Sequence, residues 1–171
     1  LRQKLQQQHT IKQLGPDINS IHFLGKKYSL IYVATSNNAV ELEEDVIRVY
    51  SKSLLQRSTL IAFLKTKLLI EIAKYADFLR ENYNLKFSKI KIMNNKSRWG
   101  SCSSKAVLSF NWRLVFAPIE IIKYLVVHEM CHLIEMNHSQ RFWDLVAKLD
   151  PDYQLSRSWL KKHYQQLHQY L

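Results

Sequence analysis

Apolar and polar positions follow different rhythms along this 171-residue chain, and each rhythm predicts a different element. Residues 18–50 alternate with a period of two. IHFLGKKYSLIYVAT is rich in β-branched and aromatic residues, with a Gly-Lys-Lys turn after Leu24. AVELEEDVIRVYS follows, with Val40, Leu42, Val46, Ile47 and Val49 apolar. A period of two puts alternate side chains on one face of a strand, so this stretch predicts a small antiparallel sheet. Over 58–83 the spacing becomes three and four: Leu60, Phe63, Leu64, Lys67, Leu68, Ile72, Tyr75, Ala76 and Leu79. This predicts an amphipathic helix with Ser58 or Thr59 as its N-cap. Residues 87–116 return to alternation, at Phe87, Ile90 and Ile92. After a turn near Ser103 to Lys105 come Leu108, Phe110, Trp112 and Leu114, which predicts a hairpin within a three-stranded sheet.

The remainder reads as helices. Pro118 opens one that runs to about Met136, and Asn137 is a tolerable terminator. Ser139 suits the N-cap of a helix over 140–149, which Asp150-Pro151-Asp152 ends, and an amphipathic helix over about 154–169 closes the chain. Residues 1–13 predict a polar arm. The expected division is an N-terminal arm and β region over 1–50 and a larger domain over 51–171. No apolar run is long enough for a transmembrane helix, and the polar start LRQKLQQQHT predicts no signal peptide. Two cysteines, Cys102 and Cys131, make no disulfide framework, so a reducing, cytoplasmic setting is expected.

Charge narrows the choice of partner. The formal charge is +11, and residues 51–105 alone carry twelve Lys/Arg against three Asp/Glu. A solvated basic face explains this as well as an anionic partner does, whether nucleotide, nucleic acid or acidic polypeptide.

The chemistry concentrates at His128-Glu129-Met130-Cys131-His132. On a helix, H-E-x-x-H places two imidazoles one turn apart on one face, where they can share a zinc ion, with Glu129 beside its open position. The helix ahead is apolar (Ile121, Ile122, Leu125, Val126, Val127), as a buried scaffold requires. His138 follows where the helix should break, at the spacing of the HExxHxxGxxH pattern, but Glu135 replaces the glycine and no Met-turn is evident. Glu135, one turn after His132, is a rival third ligand. Glu129 is the candidate general base, and Arg98 and Arg113 are candidate donors to a developing oxyanion.

The segment KSRWGSCSSKAVLSFNWRLVFAPIEIIKYLVVHEMCHLIEMNHSQRFW resembles the YgjP-like family of zinc metallopeptidases, akin to the SprT-like and WLM groups. The pattern is RWGSCS at Arg98 to Ser103, NWRL at Asn111 to Leu114, Tyr124, the HExxH helix, and NHSQRFW at Asn137 to Trp143. The resemblance implies Zn2+ on His128, His132 and His138, catalysis by Glu129, and a minigluzincin-like α+β fold in which a small β region is followed by a mixed sheet packed on the HExxH helix. It leaves the substrate open. A peptide is the first expectation. A metal-dependent pyrophosphohydrolase acting on UTP is the alternative, since some relatives carry that assignment, and a nucleic-acid-associated module using the basic segment is the third.

Overall fold

The computed structural model describes residues 19–95 and 97–171, so the polar arm expected over 1–13 lies outside the described residues. Among the described residues four strands come first: β1 (Ser20–Phe23), β2 (Lys26–Ala34), β3 (Ala39–Glu43) and β4 (Val46–Ser51). Their alternation works as the sequence implies, and Ile21, Phe23, Leu30, Tyr32, Ile47 and Val49 form the buried face. β1 and β2 make a hairpin whose turn uses positive φ at Leu24 and at Gly25 (+88°), a region glycine enters without steric cost.

The expected all-antiparallel pairing over 18–50 is incorrect. The order is β1-β2-β4-β3, and β4 runs parallel to β2. Alternation reports which face is buried but not strand direction. Burial gives the reason. Ile47 and Val49 of β4 are fully covered and need a strand on either side, whereas β3 carries exposed Glu41 and Glu43, which suit an edge.

Helix α1 (Gln56–Tyr83) turns its Leu60-Leu64-Leu68-Ile72-Ala76-Leu79 stripe to the core. Its N-cap is Leu55. The expected cap Ser58 lies inside the first turn and donates its hydroxyl back to the Leu55 carbonyl at 2.8 Å. Asn84 ends the helix in the left-handed conformation.

The second sheet has the order β5-β7-β6, from β5 (Lys89–Met93), β6 (Gly100–Cys102) and β7 (Val107–Asn111). β6 and β7 form the expected hairpin, and β5 joins β7 in parallel. The returning strand stops at Asn111, short of the expected Trp112 and Leu114. Residues Trp112–Phe116 form a 3-10 turn instead, capped by Asn111 Oδ1, which accepts from the Arg113 N–H at 3.0 Å. Trp112, Leu114, Val115 and Phe116 are all buried, and a strand with only one covered face cannot hide successive residues.

Helix α2 (Ile119–Cys131) starts after its N-cap Pro118 and is covered on nearly every side by α1, α3 (Gln140–Leu149), α4 (Tyr153–Gln169) and β6. Both sheets and the helices contribute to one hydrophobic core. This is an α+β arrangement consistent with a minigluzincin-like fold, with the long helix following the N-terminal strands. Among the described residues, no helix is long and apolar enough to cross a membrane.

Candidate metal centre

Helix α2 does not continue to Met136 as its apolar pattern predicts. It ends at Cys131, with His132 as C-cap. Leu133 N–H then bonds Met130 O at 3.0 Å and Ile134 N–H bonds Cys131 O at 3.1 Å, so the last turn tightens and the chain reverses. A straight helix would carry residue 138 around to another face, away from residues 128 and 132. The reversal returns it. Ser139 fixes the next step, because its hydroxyl accepts from the Phe142 N–H at 3.4 Å and starts α3.

The consequence is a cluster. Ligand atoms of His128, His132 and His138 all lie within 4.8 Å of one another. Nε2 of His128 and Nε2 of His138 are 3.0 Å apart. Tetrahedral zinc with bonds of about 2.0–2.1 Å would separate such nitrogens by about 3.3–3.4 Å, so this pair needs only a small spread to fit a cation. Nδ1 of His132 donates to the Glu135 carbonyl at 3.0 Å, which leaves its Nε2 lone pair for a metal. Glu135 thus contributes its backbone, and its carboxylate is not part of the cluster. Phe142 lies beneath all three rings, with centroid distances of 4.9, 4.5 and 4.8 Å. Burial, then the charges of His132, His138 and Arg157, lower the pKa of His128 to about 3. His138 is lowered for the same kinds of reason. Both rings therefore stay neutral, the form that ligates metal.

Glu129 is 4% exposed and rests on the backbone of β6. A Cβ built on Gly100 would stand 2.4 Å from its Oε1 and 2.8 Å from its Cδ, so only glycine leaves room for the carboxyl. Burial raises the Glu129 pKa to about 8, against the pull of Arg98. Cys102, also on β6, has its thiol pushed up to about 11 by burial and then by Glu129.

The two arginines proposed from sequence separate. Arg98 is exposed and acts on Glu129 electrostatically. Arg113 is engaged elsewhere: it donates to Asn94 Oδ1 at 2.6 Å and to the Leu171 carbonyl at 3.5 Å, and lies over Trp112. Sequence reasoning missed Arg157, which stands over Trp143 beside the histidines. Its one available signal was its four-residue spacing from Tyr153, which puts both on one face of α4. The other histidines are placed apart. His22 Nδ1 is 3.0 Å from the Tyr170 hydroxyl, His163 donates to the Trp159 carbonyl, and His168 stacks on Trp99, while His9 lies outside the described residues.

A family profile described as YgjP-like, metallopeptidase domain matches residues 1–163. No curated protein matches the chain. The chain therefore belongs to the YgjP-like family of metallopeptidase domains, which indicates a metal-dependent hydrolase with three histidines placed to hold the metal.

Proposed function

We propose that the protein is a zinc-dependent peptidase, with His128, His132 and His138 as ligands and Glu129 as general base. One observation carries the reading: three imidazoles converge within 4.8 Å of one another, next to a buried carboxyl on the helix that carries His128. Three imidazoles suit zinc with a fourth position left open, and Co2+, Ni2+ or Mn2+ are the substitutes expected in vitro. Bound there, the cation would supply Lewis acidity, lowering the pKa of a water molecule and polarising the carbonyl under attack. Glu129 takes the proton from the attacking water and returns it to the leaving amine. Its raised pKa favours holding that proton, and a neighbouring dication favours the carboxylate, so the group is poised between the two. Arg98 contributes positive charge on the Glu129 side.

The sheet order supports a peptide over other substrates. β6 is an edge strand, and Glu129 rests against it. An extended peptide that added to β6 would pass the carboxyl, using backbone hydrogen bonds that any sequence can make. Free thiols at Cys102 and Cys131 accord with a reducing, cytoplasmic compartment.

The second reading is hydrolysis of a nucleoside triphosphate. The concentration of Lys/Arg over 51–105 and the position of Arg98 favour it. The purified protein is expected to contain about one zinc and to cleave an unstructured protein. Glu129→Gln should keep the metal and lose the cleavage. Pyrophosphate release from UTP with the same Glu129 dependence, and no proteolysis, would replace the peptidase reading with the nucleotide one.

A further inference from the structure

Arg157 is exposed on α4, and its guanidinium lies over the indole of Trp143, 4.6 Å from the ring centroid. That indole is 5.7 Å from the rings of both His128 and His138. Tyr153, one turn earlier on α4, stacks on the same indole at 5.4 Å and 21°. Trp143 is thus a fixed shelf between α3 and α4, with a cation on it.

No hydrogen bond or ion pair joins Arg157 to another described residue. Its stack on the indole engages the face of the guanidinium and leaves the N–H donors at its edge free. The position is also costly. A permanent cation next to a cluster built for a dication weakens metal binding by repulsion. An anion entering between the two charges turns that repulsion into attraction on both sides.

We propose that Arg157 is a specificity-determining residue that receives an oxyanion of the substrate, a carboxylate of a peptide, beside the metal site. This rests on the metal-hydrolase reading. The guanidinium offers a carboxylate two parallel N–H bonds, an arrangement a lysine cannot reproduce. The carboxylate belongs to a chain terminus or an acidic side chain close to the scissile bond. A phosphate has related chemistry, so the test includes it.

Three small hydroxamates provide the probes, because all chelate zinc and they differ in the appended group. Propionohydroxamate is neutral, succinic monohydroxamate carries a carboxylate, and phosphonoacetohydroxamate carries a phosphonate. Their affinities for the zinc-loaded full chain are measured by calorimetry, for wild type, Arg157→Ala and Arg157→Lys. Wild type should prefer the carboxylate probe over the neutral one by about ten- to a hundredfold, the worth of a charge-assisted hydrogen-bonded pair. Arg157→Ala should abolish that preference without changing zinc content or the affinity of the neutral probe. Arg157→Lys should restore part of it. A phosphonate preference lost in Arg157→Ala would overturn the carboxylate assignment in favour of a phosphate. A preference that survives Arg157→Ala, or an equal loss for all three probes, would overturn the role of Arg157 while leaving the metal reading intact. Failure of wild type to bind zinc would remove the metal reading and this inference with it.

Discussion

The two ends of α2 lie in the same buried helix and put burial to opposite uses. From Ile121 to Val127 the covered side chains are almost all hydrocarbon, and Ile122, Val126 and Val127 are at most 1% exposed. Covering each such side chain contributes about 1.5–3 kcal/mol to folding. At the C-terminal end burial opposes folding. It holds Glu129 protonated up to about pH 8 and drives the pKa of His128 down to about 3. Those groups stay in place because the apolar half fixes the helix that carries them. The core at one end maintains a costly arrangement of titratable groups at the other.

Substitutions should separate the two ends. The largest effect is expected from His128→Ala or His132→Ala, which should remove stoichiometric metal and reduce hydrolysis to background, as read by metal analysis beside an activity assay. At the apolar end, Ile122→Ala should cost about 2–5 kcal/mol in urea unfolding and leave metal content unchanged. Gly100→Ala places a methyl where the Glu129 carboxyl lies, so hydrolysis should fall by about 10²–10⁴, close to the loss in Glu129→Gln, with the metal retained. An active Gly100→Ala protein would mean that Glu129 need not rest on β6.

The pH dependence of the metal-free protein sharpens the contrast. His128, lowered in the folded state from 6.5 to about 3, contributes stability that is present above pH 6.5 and lost as pH falls toward 3. Glu129, raised from 4.5 to about 8, binds a proton in the folded state that the unfolded chain releases, so stability declines as pH rises from 4.5 to 8. The two oppose each other below pH 6.5, and Glu129 acts above it. Between pH 6.5 and 8 the chelated wild type should lose about 2 kcal/mol relative to Glu129→Gln. Parallel stability curves for the two proteins would refute the burial account of Glu129. The smallest effect is expected at the loop. Ser139→Ala should cost about 1 kcal/mol and weaken metal binding, because its cap orients the segment that returns His138.

Much of this was legible from spacing, because spacing determines faces. The α1 stripe from Leu60 to Leu79, the alternate burial of Ile47 and Val49, the Ser139 cap and the His128/His132 pair all follow from helix or strand geometry. What spacing does not encode was missed. Strand direction depends on which strand must be covered on both sides, hence the parallel β2–β4 pair. The early end of α2 depends on a reversal that overrides the apolar signal of Leu133 and Ile134. Trp112 continued the alternation, yet the residues after it are buried in succession and leave the strand. Arg157 lies nineteen positions beyond His138, and only the packing of α4 on α2, with its contact to Trp143, brings it near. Arg113 had the right charge, but its bonds to Asn94 and the C-terminal carbonyl are tertiary.

The most direct test is X-ray absorption at the zinc edge of protein loaded with one equivalent of zinc. Three imidazole nitrogens at about 2.0–2.1 Å are expected, with one fewer in His138→Ala. Sulfur scattering at about 2.3 Å, or a nitrogen shell unchanged when His128, His132 and His138 are replaced together, would contradict the site.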